Sequence, residues 1–264
     1  MRLSDIQPQY FPRVHYFARM LSSDVFVLRD DVQFVRNHKY PGGQRHVSYQ
    51  AHTPIRSNNG TLMLAVAVKK GHEKAMTEVV PCYQQKWRTK HLNQIRQNYR
   101  SAPRSRELLP GLEALLSHSF STLANLNIAT ICWSLGHILG TAPPEPEMLT
   151  VETANSWLSS ASNATRLGRI ARGSELRVGE LGATPSERIV GLCKNAGACE
   201  YLAGGTAVEA YLDKQPFCES AVRITVQDWQ CPKYQQQNAG SNPTANLSVL
   251  DLLFNVEHPL EFLQ

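Results

Sequence analysis

No apolar run in the chain reaches the roughly 18 residues needed to cross a bilayer. The longest, around Leu126 to Leu139, is broken by Asn127, Ser134, Gly136 and His137, so no membrane span is expected. The N-terminus lacks a basic stretch followed by an apolar one. It enters a polar, proline-punctuated segment (Asp5, Gln7, Pro8, Gln9) at once, which argues against an export signal and for a cytoplasmic location. The six cysteines (Cys82, Cys132, Cys193, Cys199, Cys218, Cys231) form no CxxC pair, which speaks against a redox motif and a disulfide scaffold. In such a compartment they are reduced thiols, and the sequons at Asn163 and Asn246 carry no meaning. Missing too are the GxSxG, HExxH, GxxxxGK[ST] and GxGxxG signatures. No pair of histidines has metal-ligand spacing backed by a third ligand, so no metal site is expected.

What is present suits a globular protein. At 264 residues, with 42% hydrophobic and 19% charged residues, the chain can bury a sizeable core, and disorder is not indicated. Its net charge of +5 is unevenly placed. Between Lys69 and Arg106 ten Lys or Arg meet only Glu73 and Glu78, giving +8 there and −3 elsewhere. Such a segment is either a solvated basic face or a seat for an anionic partner: a phosphorylated small molecule, a nucleotide or RNA.

Periodicity divides the chain. A strand over Leu3 to Ile6, a helix over Phe11 to Leu21 with Pro12 in its first turn, and a strand over Val25 to Leu28 open it. Turn-forming residues dominate 36 to 60, followed by a strand over Leu62 to Val68, as in a hairpin with a long connection. Tyr83, Trp87, His91, Ile95 and Tyr99 recur every four residues on an amphipathic helix, a stripe that places His91 in the core. Helices over Glu107 to Ser117 and Thr122 to Leu139 precede Pro143, Pro144 and Pro146, the best linker candidate. A Ser, Ala and Asn stretch follows near 155 to 165. Thr184, Pro185, Ser186 and Glu187 then make a capping box for a helix ending near Gly197. A strand over Ala198 to Ala203, a glycine turn, a helix over Thr206 to Glu219 and a strand over Val222 to Val226 form a parallel βαβ unit. The class expected is α/β: a mostly parallel sheet built from N-terminal and C-terminal βαβ-like units, with a helical middle segment. Residues 1–264 read as one unit; a subdivision into 1–75, 76–142 and 149–264 is the alternative.

Three clusters could carry chemistry. In the first, Gln7, Tyr10, His15 and Tyr16 surround a strand-to-helix loop whose backbone donors suit a phosphate or carboxylate; the aromatics serve equally as packing. In the second, Asp30, Asp31 and Gln33 follow the second strand. There a carboxylate can act as general base or hold Mg²⁺, or the residues can simply start a turn. In the third, Gly204, Gly205 and Thr206 join strand to helix and allow close approach to an anion, with Tyr234 and the Ser248 to Asn255 tail beyond. Ser248 is expected to N-cap the last helix with Asp251 as its capping partner. Neighbouring parallel strands deliver their carboxyl-terminal loops to one edge, so Gln7, Tyr10, Asp30 and Asp31 are expected to line one pocket. Lys69, Lys70 and Lys90 of the basic segment are the candidates for holding a phosphate.

Together these residues resemble the WbqC-like protein family. The resemblance rests on Ile6-Gln7-Pro8, Tyr10-Phe11-Pro12, Tyr16-Phe17, Asp24 to Val27 and Asp30 to Phe34. It continues through Val66 to Lys69, Trp87 with Lys90-His91, Tyr99 with Ala102-Pro103, Leu126-Asn127, Tyr201-Leu202, Tyr211-Leu212, Tyr234 with Gln236, and Leu247 to Asn255. It covers nearly the whole chain in order. The resemblance implies a biosynthetic role, in surface polysaccharides such as O-antigen or in antibiotics and other natural products, and it adds His91, Tyr234 and Gln236 to the substrate-binding candidates. Three departures stand out: His15 replaces a common Gly, residues 37 to 61 diverge, and a Phe ahead of the final Leu-Ser motif is absent near Pro243. The expected activity is a transferase joining an acyl or aminoacyl unit to an amine on a small-molecule biosynthetic intermediate. Asp30, Asp31 or His15 would move protons, and the donor would be phosphorylated or borne by a carrier protein or aminoacyl-tRNA. The alternatives are a nucleotidyltransferase-like enzyme needing Mg²⁺, and a non-catalytic module that binds a phosphorylated carrier or RNA.

Overall fold

The computed structural model describes residues 1–39, 45–69, 74–160, 165–205, 208, 212–237 and 242–264. The chain opens with β1 (Arg2–Ile6), α1 (Val14–Leu21) and β2 (Val25–Leu28). Helix α1 begins later than its apolar spacing suggests, because Phe11 sits at a φ of 40°, outside the right-handed helical region. Pro12 therefore precedes the helix instead of occupying its first turn. Two antiparallel hairpins follow: β3 (Asn37–Lys39) with β4 (Arg45–Val47), and β5 (His52–Ser57) with β6 (Gly60–Ala65). The strand expected to reach Val68 ends at Ala65.

The middle is helical: α2 (Trp87–Tyr99), α3 (Ser105–Ser117), α4 (Leu123–Ile138) and α5 (Val151–Ser160). Helix α5 runs into the Ser, Ala and Asn stretch near 155 to 165 and buries Val151, Ala154 and Leu158 on one face. In the proline cluster Pro146 is buried and opens a short 3-10 turn. Then come β7 (Arg169–Arg172), α6 (Pro185–Ala196), β8 (Glu200–Ala203), α7 (Gln215–Glu219), β9 (Arg223–Val226) and α8 (Val249–Asn255). The Thr184–Glu187 capping box and left-handed Gly197 bound α6 as the residue pattern requires.

Five strands form one sheet in the order β7-β2-β1-β8-β9, parallel at every pairing. Such a sheet must be covered on both faces, and alternation along the strands achieves this. Phe26 and Leu28 join Phe17 and Leu21 of α1 in the larger core, while Leu3 and Val27 pack with Ile189 and Cys193 of α6. The strand order turns at β1, which has β2 on one side and β8 on the other. Beyond this point the ladders differ: β1 pairs with β2 over four residues but with β8 only at Arg2 and Leu3. The strands part there, and the Ser4 hydroxyl donates to the Leu202 carbonyl across the gap (2.8 Å). A crevice at the carboxyl ends of strands where the order reverses is where open α/β sheets take ligands.

Candidate functional site

A cavity of about 700 Å³ occupies that crevice, within the size range of ligand sites. Its floor is a charge network at the strand ends. Arg29 donates through Nε and Nη2 to both carboxylate oxygens of Asp31 (2.8 and 2.9 Å) and through Nη1 to Asp5 (2.9 Å), and the Tyr201 hydroxyl donates to the other Asp5 oxygen (2.7 Å). Burial alone would favour losing the Arg29 proton; the two carboxylates outweigh it and hold the guanidinium more firmly protonated than usual. Gly173 allows this packing, since a Cβ there would meet Asp31 at 2.2 Å.

The wall is the first turn of α1. Arg13, its N-cap residue, makes no side-chain cap, and Asn246 takes over from the other end of the chain. Asn246 adopts a φ of 56°, which asparagine tolerates better than most residues. Its Oδ1 accepts the His15 backbone N–H (3.0 Å) and lies 3.0 Å from His15 Nδ1. Because this oxygen is already identified as the acceptor of a backbone N–H, Nδ1 must carry the ring proton. The lone pair is then on Nε2. Burial, with the Arg19 and Arg13 charges adding to it and the Asn246 bond opposing, lowers the His15 pKa to about 4, so the ring is neutral at physiological pH.

The loop delivering His15 is clamped. Phe11 pays for its positive φ with about 1–3 kcal/mol of strain. Hydroxyls fix it on both sides: Thr130 accepts its N–H (3.2 Å), and Thr53 (2.6 Å) and Ser248 (3.2 Å) donate to its carbonyl. Backbone bonds from Val14 to Leu247 (3.1 Å) and from Val249 to Pro12 (2.7 Å) tie the tail segment along the same loop.

Of the residues expected from sequence, Gln7, His15, Gly204 and Gly205 line this cavity. Tyr16 lies behind it, wholly buried, with its hydroxyl donating to the Gln7 carbonyl (3.3 Å). Asp31 belongs to the site through Arg29. The common pocket expected for Gln7, Tyr10, Asp30 and Asp31 is corrected, because Tyr10 and Asp30 are wholly buried elsewhere. Asp30 accepts from Arg172 Nε, the Ser174 N–H and the Ser174 hydroxyl (2.8 Å each), a complete set of partners that fixes the β7 end. Tyr10 donates to His91 Nδ1 (3.0 Å), whose Nε2 proton goes to the Ala65 carbonyl (3.1 Å). Burial lowers the His91 pKa to about 4 as well.

Tyr234 and Tyr99 donate to the two oxygens of buried Asp251 (2.8 and 2.7 Å). Asp251 is thus not the capping partner of Ser248, whose hydroxyl accepts the Leu250 N–H (3.3 Å). Burial raises the Asp251 pKa to about 6 against the lowering effect of those hydrogen bonds. The Gln236 amide closes on the N–H and carbonyl of Thr244. Gln33 is exposed, and its carbonyl accepts from Gln50. Lys69 and Lys90 are exposed, and Lys90 rims a separate groove between β6 and α2. Lys70 and Thr206 lie outside the described residues. Among the described residues no three His, Cys, Asp or Glu side chains gather as a metal ion would require.

Sequence reading missed Asp5, Arg19, Arg29, Tyr49, Arg188 and Asn246, all of which line the cavity. One signal was present for Arg19: it stands four residues after His15, on the same helical face.

The WbqC-like protein family model matches residues 7–259. A Mycobacterium tuberculosis protein described as uncharacterized protein Rv1507c is 26% identical over 263 residues, 97% of this chain and 94% of its own length. No solved structure matches. Among the described residues no helix is long and apolar enough to cross a membrane.

Proposed function

The chain belongs to the WbqC-like protein family, and on that premise we propose that it is a biosynthetic transferase whose reaction runs in the crevice between β1 and β8. It joins an activated acyl or aminoacyl unit to an amine or similar nucleophile on a small intermediate, in surface-polysaccharide or natural-product biosynthesis. The observation that carries this reading is the neutral, tautomer-locked imidazole of His15 in the wall of a cavity at the sheet's switch point.

In the proposed step the amine attacks the acyl carbon and a C–N bond forms. The bond to the leaving group breaks, and its electron pair departs with that group. His15 Nε2 takes the proton released by the nitrogen while Asn246 Oδ1 keeps its bond to Nδ1–H; the proton then passes to the leaving group and the ring returns to neutral. Asp30 and Asp31, the alternative acceptors, have their carboxylates occupied by Arg172 with Ser174 and by Arg29.

A carrier-borne donor has a second surface available. Lys86 and Lys90 rim the groove against β6, apart from the cavity, which favours docking of a carrier protein or aminoacyl-tRNA there. A thermal-shift screen of amino acids, sugar nucleotides and acyl donors identifies the substrates, since a ligand at 100 times its Kd stabilises by about 2.7 kcal/mol. The expected result is that His15→Asn still binds them and no longer turns them over. Full turnover by that variant would end this reading.

A further inference from the structure

We propose, resting on the cavity as the reaction site, that the substrate enters carrying a phosphoryl or diphosphoryl group, seated at the Gly204–Gly205 turn between Arg19 of α1 and Arg188 of α6. Among the described residues three arginines line the cavity, and their surroundings sort them. Arg29 is matched by two carboxylates and holds the strand ends together. Arg188 is different: its Nε and Nη2 donate to the carbonyls of Gly182 (2.8 Å) and Ala183 (3.2 Å), which orient the guanidinium without cancelling its charge. Among the described residues no carboxylate forms an ion pair with it.

Arg19 is held through Nε by Gln227 Oε1 (2.7 Å), so the far edge of its guanidinium lies over the β8 turn. A Cβ on Gly204 would come within 2.5 and 2.9 Å of its two Nη atoms. Glycine at this position therefore keeps the guanidinium against the backbone of the turn that follows β8. A strand-to-helix turn of that kind is where backbone approaches an anion closely. The Arg19 and Arg13 charges also bear on His15, adding positive field on the α1 side of the cavity. Two planar donor groups on opposite elements suit a group with several oxygens and two charges. A bound anion would offset the arginine field at His15 and make its ring a better proton acceptor.

The test is calorimetric titration of the full chain with inorganic pyrophosphate, with malonate as the carboxylate counterpart. Pyrophosphate is expected to bind at least tenfold more tightly than malonate. Arg188→Gln should weaken it tenfold or more. Gly204→Ala should weaken it similarly by displacing Arg19, with the melting temperature nearly unchanged because only the end of a flexible side chain must move. Malonate bound as tightly as pyrophosphate, or pyrophosphate binding that survives both variants, overturns the proposal. His15→Asn keeps the arginines, so unchanged pyrophosphate affinity in that variant supports the seat. Loss of turnover there bears on the transferase reading alone, and the two ideas fail separately.

Discussion

His15 and His91 sit in two regions that treat the same side chain differently. Both are on helices, and both have a pKa lowered to about 4, chiefly by burial. In the core between α2 and β6, both ring nitrogens of His91 are used, one by Tyr10 and one by Ala65. At the crevice, Asn246 uses only Nδ1 of His15, and the ring lines a cavity. A depressed pKa therefore does not mark a site. The nitrogen left over after the protein's own hydrogen bonds does.

The carboxylates repeat the contrast. Asp30 and Asp251 are wholly buried with their oxygens taken, whereas Asp5 and Asp31 share Arg29 at the cavity floor. Buried polar groups with full complements rigidify a fold, and Asp30 and Asp251 belong to that class.

The comparison breaks most readily through turnover. His15→Asn should lower kcat by about 10²–10⁴, the usual contribution of a positioned acid or base, with little change in melting temperature. An unchanged kcat would place His15 with His91. Asp30→Asn should act in the opposite way: it removes the buried partner of Arg172, leaving only exposed Glu175 at 3.9 Å, and should cost about 3 kcal/mol, the low end for breaking a buried pair because Arg172 is a quarter exposed. Denaturant titration measures this, and kcat of the folded fraction should hold. His91→Leu should cost about 1–3 kcal/mol by leaving the Tyr10 hydroxyl and Ala65 carbonyl without their partner, again without a direct effect on turnover.

A smaller effect is pH dependence. Between pH 6.5 and 4 the unfolded chain protonates His15 and His91 while the folded chain does not, so their contribution is complete above about 6.5 and is lost as pH falls towards 4. Asp251 has the opposite sign, because its folded pKa of about 6 lies above the unfolded value and stabilises the acid side of the same window. Melting curves should show a net loss on acidification that shrinks in His91→Leu. A loss unaltered in that variant would count against a neutral, buried His91.

Where local chemistry decides, the residues were readable. The Thr184–Glu187 capping box delimits α6, and the apolar runs of β2 and β8 announce buried parallel strands. Strand β7 escaped because Arg169-Ile170-Ala171-Arg172 is short, edge-placed and flanked by charge. The site escaped for a topological reason. It opens where β1 and β8 part, with Ser4 and Leu202 198 residues apart in sequence, and the cap on α1 is Asn246 from the tail. Likewise the adjacent Asp30 and Asp31 look alike in sequence, and their different partners, Arg172 with Ser174 for one and Arg29 for the other, separate their roles. Side chains such as Gln7, Gly204 and His15 could be picked out by type, but strand order was needed to bring them together.

Nitrogen-detected NMR of the His15 ring tests the central claim most directly. The account predicts a proton on Nδ1, a bare Nε2 that responds when pyrophosphate enters the cavity, and titration near pH 4. A proton on Nε2, or titration near the ordinary histidine value of about 6.5, would contradict it.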